Sequence, residues 1–134
     1  MVPQELYSQI VASVPIACVD IILSYQDKYV LIKRAQQPLK GEWWTIGGAV
    51  RKGERLEDAA YRKVIEETGL IPKNLTFRGV YQDTYELSEH NCQAHSISTV
   101  FTAVIEDYTP AIDKTSSDIG LFDEVPDRLI KNLL

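Results

Sequence analysis

The chain has 134 residues, 45% of them apolar and 25% charged. That fits one domain over residues 1–134 with one hydrophobic core. A net charge of −5 argues against a nucleic-acid binder, which needs a basic face, but leaves a nucleotide substrate open. The apolar runs fall far short of the ~20 residues of a membrane helix. The N-terminus has no basic stretch followed by an apolar run, so no signal peptide is expected and a cytoplasmic location follows by default. Cys18 and Cys92 are too few and too far apart for a zinc motif or a disulfide framework, and read as reduced thiols.

Leu6, Ile10 and Val14 stand four apart after Pro3 and before Pro15, which predicts a short N-terminal helix with those residues as its apolar stripe. Ala17 to Tyr25 and Tyr29 to Arg34 read as two strands of a hairpin around Gln26-Asp27-Lys28. Pro38 to Trp44 reads as a loop, and Gly47-Gly48 and Gly53 punctuate the stretch before the next element. Arg55 to Thr68 is the clearest helix, with Leu56, Ala59, Ala60, Val64 and Ile65 as its buried stripe. Glu57 and Asp58 suit the positive end of its dipole, and Gly69 is placed to close it. Phe77 to Tyr85 and His95 to Ile105 read as strands, with Glu86 to Gln93 a polar loop between them. Pro126 to Leu134 ends in a short helix with Leu129, Ile130 and Leu133 on one side. The expected class is α+β, with helices packed on a mixed sheet.

The chemistry is concentrated between Gly48 and Leu70. Lys63, Glu66 and Glu67 share one helical face, Arg62 and Glu66 are one turn apart, and Glu54 lies just before the helix. Adjacent carboxylates beside a glycine-rich loop form a hard-oxygen environment, suited to Mg²⁺ or Mn²⁺ rather than zinc. Glycine lets the backbone approach a metal or a phosphate closely. The plain alternative is a solvated helix face carrying Arg62–Glu66 and Lys63–Glu67 ion pairs.

The spacing resembles the Nudix box: Gly48, five residues, Glu54, seven residues, then Arg62, Lys63, Val64, Ile65, Glu66, Glu67, Thr68, Gly69 and Leu70, with only the positions of Ile65 and Thr68 free to vary in the last stretch. One fixed position departs, for Lys63 stands where the box carries Glu. The resemblance implies an α/β/α sandwich with a loop-helix-loop catalytic motif, and hydrolysis of a nucleoside diphosphate linked to another group. It also implies metal held by Glu66, Glu67 and the Gly47 carbonyl, and Arg62 paired with Glu54 to brace the helix.

A cation at position 63 removes a carboxylate and repels a divalent ion. Three readings are open: an inactive nucleotide-binding module, ordinary diphosphate cleavage with a displaced base, or a branch that uses another base. The chain is also similar to the GDP-mannose mannosyl hydrolases, a branch departing from the box at this same position. Val14-Pro15 leading to Val19-Asp20, Leu31 to Arg34, Gly41 to Trp44, Gly79 to Gln82 and His95 carry that similarity. It implies attack at the anomeric carbon of a nucleoside-diphosphate sugar such as GDP-mannose or GDP-glucose, releasing GDP and free sugar. One Mg²⁺ and arginines, here Arg34 and Arg62, would neutralise the leaving diphosphate. His95 would activate water, Asp20 and Tyr81 would contact substrate, Tyr7 would stack on the base, and Gln93 would be a neutral metal ligand. Ala49 and Ile46 depart from the branch, which carries Arg and Pro there, and Arg51 is the candidate to replace the missing charge. Relatives pair, so a homodimer is a further expectation.

Overall fold

The structure, a computed structural model, describes residues 2–36, 39–87 and 92–132, with side chains described as far as residue 129. The elements run α1 (Gln4–Ser13), β1 (Ile16–Tyr25), β2 (Lys28–Arg34), β3 (Trp43–Trp44), β4 (Ile46–Ala49), α2 (Leu56–Thr68), β5 (Lys73–Leu87), β6 (Cys92–Val104), β7 (Ser116–Phe122) and α3 (Asp127–Asn132). Pro38, His90 and Leu133, expected in a loop, a loop and the last helix, lie outside the described residues, as does the side chain of Ile130.

The sheet is mixed, in the order β3-β2-β1-β6-β5, with β4 added to β1 and β7 to β2. β1 is its central strand. It runs parallel to β6 from Ile16↔Ser96 to Ser24↔Val104. Its end pairs antiparallel with β2 at Leu23↔Val30 to Tyr25↔Lys28, and its first half pairs with β4 instead, at Cys18↔Ala49 to Ile21↔Ile46. The hairpin therefore splays, and β3 and β4 enter the opening, β3 beside β2 and β4 beside β1.

Strand alternation sorts the side chains to two faces. Val19, Ile21 and Leu23 are fully buried with Ala59, Ala60 and Val64 of α2, and burial of each of the Val, Ile and Leu side chains contributes about 1.5–3 kcal/mol. On the other face Trp44, Tyr81 and Val100 pack with Leu129 of α3, joined by Ile22. The result is a helix–sheet–helix layering. Among the described residues no helix is long and apolar enough to cross a membrane.

Several local expectations change. In α1 the buried residue is Val11, while Leu6 and Val14 are exposed; the inward face is one residue round from the expected stripe. Trp43 and Trp44 form a short strand, since the splayed hairpin leaves backbone for them to pair with. Gly47-Gly48 lies inside β4. β5 and β6 extend to Leu87 and back to Cys92, shortening the expected loop on both sides. β7 carries no clean alternation of apolar and polar residues, and its pairing with β2 was not expected.

Candidate active site

In α2, Ala59, Ala60, Val64, Glu67 and Thr68 are buried, whereas Leu56 and Ile65 are 39% and 40% exposed. The helix is thus turned so that the stripe packed on the sheet ends in a carboxylate, Glu67, which is 2% exposed. Gly69, at φ 71°, closes the helix in the left-handed conformation that glycine adopts without a Cβ penalty.

A buried carboxylate is costly unless hydrogen-bonded. Glu67 Oε1 accepts the N–H of Gly47 at 3.0 Å, and Oε2 accepts the hydroxyl of Thr115 at 3.1 Å. The β4–β1 ladder explains the first contact. Val50 donates to Ala17 at 2.9 Å, so hydrogen-bonded pairs alternate from there and Gly47↔Asp20 is a non-bonded pair. In such a pair the N–H and C=O point away from the neighbouring strand, which turns the Gly47 backbone toward α2. Burial raises the Glu67 pKa, opposed by Lys63, the Gly47 N–H and Thr115. Lys63 Nζ lies 3.7 Å from Glu66 Oε2 and 3.9 Å from Glu67 Oε1. Its stem runs against Gly48, where a Cβ would meet Lys63 Cε at 2.7 Å.

A second group of charges lies beside this one. Arg62 donates from Nε and Nη2 to both oxygens of Glu54, at 2.7 and 2.9 Å, from Nη2 to the Ala49 carbonyl at 3.2 Å, and from Nη1 to Glu66 at 3.3 Å. The Arg51 N–H donates to Glu54 at 3.0 Å, and its guanidinium pairs with Glu66 at 3.4 Å. Hydrogen bonding from Arg62, then from the Arg51 backbone, holds Glu54 down to about 2. Arg62 therefore ties the loop, β4 and α2 together.

Asp20 is the third feature. It lies opposite Gly47, is 8% exposed, and accepts the hydroxyls of Thr45 (2.9 Å) and Ser98. A Cβ on Gly47 would meet the Val19 carbonyl at 2.3 Å and Asp20 Oδ1 at 2.8 Å, so only glycine fits between Asp20 and Glu67. Burial raises Asp20 to about 6, against the pull of Ser98, Thr45, Trp44 and Arg34.

One cleft of about 740 Å³ gathers Asp20, Arg34, Tyr7, Tyr81, Gly47, Lys63, Glu67 and His95, with Lys40, Trp44 and Thr115. Its size is that of a small-molecule site. Arg62, Arg51, Glu54 and Glu66 do not line it; the Arg62 donors are taken up by Glu54, Glu66 and Ala49. Gln93 is exposed, opposite Glu86 in the β5–β6 ladder, and outside the cleft lining, so it is not brought to Glu67. His95 Nε2 lies 3.3 Å from Gln82 Oε1. Tyr81 is buried with its hydroxyl 2.8 Å from that of Tyr85, which ties it into the wall. Trp44 lines the cleft, while Trp43 packs on Phe122. Cys18 also lines it, but burial pushes its thiol up to about 12, unsuited to a nucleophile. Thr115, Thr45 and Ser98 were not legible as site residues, because isolated hydroxyl residues have no spacing signature.

A model of the NUDIX domain matches residues 15–125. The chain belongs to the Nudix family. It is 31% identical over 124 residues to the low-salt glycan biosynthesis protein Agl8 of Haloferax volcanii, covering 91% of this chain and 80% of that one. It is 41% identical over 87 residues to an ADP-ribose pyrophosphatase of Methanocaldococcus jannaschii, 65% of this chain and about half (49%) of that one. Among solved structures, a MutT NUDIX hydrolase from Burkholderia pseudomallei superposes with a TM-score of 0.71 at 24% identity, covering 85% of this chain and 88% of that one. A bifunctional NMN adenylyltransferase/ADP-ribose pyrophosphatase from Francisella tularensis, complexed with AMP and a manganese ion, gives 0.62 at 20% identity, covering 88% and 36%.

Glu66, Glu67 and the turned-out Gly47 backbone offer hard oxygens. Among the described residues no three Asp, Glu, His or Cys side chains come together as a metal-binding group. That set fits a single Mg²⁺ or Mn²⁺, which takes one or two carboxylates and completes its shell with water and substrate phosphate. It does not fit a second ion beside Lys63.

Proposed function

We propose that the chain hydrolyses a nucleoside diphosphate linked to a further group, a nucleotide sugar such as GDP-mannose or GDP-glucose being the first candidate. The observation that carries this reading is the cleft in which Asp20 and Glu67, both buried, meet at Gly47. Arg34 and Lys40 supply positive charge to a diphosphate there. Tyr7, 38% exposed at the cleft edge, offers a ring for the base to stack on. A bound Mg²⁺, held by Glu66, Glu67 and the Gly47 carbonyl, would neutralise charge on the phosphates.

Hydrolysis at the anomeric carbon forms a carbon–oxygen bond to water, breaks the bond to the diphosphate and passes the water proton to a base. Asp20 and His95 are the two cleft groups suited to that proton. With its pKa near 6, Asp20 is ionised at neutral pH and still basic enough to accept a proton. The similarity to Agl8, named for glycan biosynthesis, supports a sugar as the group linked to the diphosphate. The similarity to an ADP-ribose pyrophosphatase favours a second reading, attack at phosphorus.

Turnover of GDP-mannose with Mg²⁺ in ¹⁸O-labelled water separates them. The first reading expects GDP and labelled free mannose. GMP and mannose phosphate, with the label on phosphate, would establish the second and remove the first.

A further inference from the structure

The proposed function leaves the role of Lys63 open, and an inference about that residue rests on the same reading of the cleft. We propose that the Lys63 ammonium is a built-in cation of the diphosphate-binding site, so that the chain binds a nucleoside diphosphate without any divalent ion.

Four observations lead there. Lys63 lines the cleft, although its side chain is only 15% exposed. Its ammonium lies within 4 Å of both Glu66 and Glu67, the two carboxylates a metal would use. Gly48 leaves room for its stem, since a Cβ there would stand 2.7 Å from Cε and 3.1 Å from Nζ. The ammonium is thus held by packing as well as by charge. Finally, 3.7 and 3.9 Å are ion-pair distances but longer than hydrogen bonds, so the three N–H donors keep capacity for a ligand oxygen.

Arg62 provides the contrast. Its donors go to Glu54, Glu66 and Ala49, and it does not line the cleft. The box charges also balance: Glu54, Glu66 and Glu67 stand against Arg51, Arg62 and Lys63. These six groups alone offer a dication no net attraction. A glutamate at position 63 would change their sum from zero to −2 and open the inner position to an ion. An ammonium there instead presents a point charge of the kind that binds phosphate.

GDP is the probe, titrated calorimetrically into the protein in EDTA and in excess Mg²⁺. The expected result is binding in EDTA with a Kd within about tenfold of the Mg²⁺ value. Lys63→Gln keeps a polar side chain, one atom shorter, and removes the charge; it is expected to weaken GDP binding in EDTA by at least ~30-fold, as for loss of one partner of a close charged pair. Lys63→Glu is expected to bind GDP only with metal, and to raise the number of Mn²⁺ ions counted by electron paramagnetic resonance. Wild-type binding that EDTA abolishes but Mg²⁺ restores would overturn the inference and leave the proposed function standing. Equal affinity of wild type and Lys63→Gln in EDTA would overturn it as well. GDP, ADP and UDP all failing to bind under both conditions would remove the proposed function together with the inference.

Discussion

Two groups of carboxylates adjoin the short strand β4, and they are treated in opposite ways. Glu54 meets a bidentate guanidinium and is held near 2. Asp20 and Glu67 are buried among hydroxyls, a backbone amide and one ammonium, and burial raises both. The first arrangement makes a carboxylate permanently ionised and stabilising, which suits a brace. The second stores a cost that folding alone does not require, which suits a group kept ready for chemistry.

The largest effect that would break this comparison is expected at Asp20. Asp20→Asn should lower kcat by about 10² to 10⁴, the range of a lost general base, with nucleotide affinity little changed. His95→Gln is its counterpart in the same assay. A loss of that size at His95, with Asp20→Asn near native, would move the base to His95.

The pH profile sharpens the contrast. If ionised Asp20 accepts the proton, log kcat/KM should fall with unit slope as pH drops below about 6, and the break should vanish in Asp20→Asn. A profile flat from pH 7 to 5 would contradict that role.

Smaller effects concern stability, and their signs are opposed. Asp20 has a folded pKa raised from the usual carboxylate value to about 6. Its stabilising contribution is full below about 4 and is lost as pH rises through 6. Asp20→Asn should therefore melt higher than wild type at pH 8, by on the order of 5 °C, with the gap closing toward pH 4. Glu54 is depressed to about 2, so its contribution is present above the unfolded value and is lost as pH falls toward 2. Glu54→Gln should melt lower than wild type at pH 7, the deficit shrinking below pH 4. Calorimetric melting temperatures at three pH values test both signs.

Much of the brace and little of the inner cleft was legible in the sequence. Gly48, Glu54, Arg62, Glu66, Glu67 and Gly69 sit at fixed spacings on one loop and one helix, so local geometry brings them together. The sequence places α2 to within one residue but does not fix its rotation. Leu56 and Ile65 look apolar enough to face inward, and only the packing of Ala60 and Val64 on the sheet shows that Glu67 does so instead. The partners of Asp20 come from residues 25 and 78 positions away, Thr45 and Ser98. Parallel pairing of β1 with β6 brings Ser98 there and antiparallel pairing of β4 with β1 brings Thr45, and no periodicity encodes either. Gln93 fails for a related reason: β5 and β6 pair as far as Leu87↔Cys92, which carries Gln93 along the hairpin away from α2. The N-terminal stripe failed because α1 turns Val11 inward, with Leu6 and Val14 left exposed.

The most direct measurement compares Glu67→Gln with Glu54→Gln in one steady-state assay on the nucleotide sugar that the wild type turns over, with the fold of each checked by circular dichroism. Removing the buried cleft carboxylate is predicted to lower kcat by at least ~100-fold. Removing the paired outer one is predicted to lower it by less than about tenfold and to act chiefly on melting temperature. Equal losses, or a near-native rate for Glu67→Gln, would contradict the division of the site into a chemical centre and a brace.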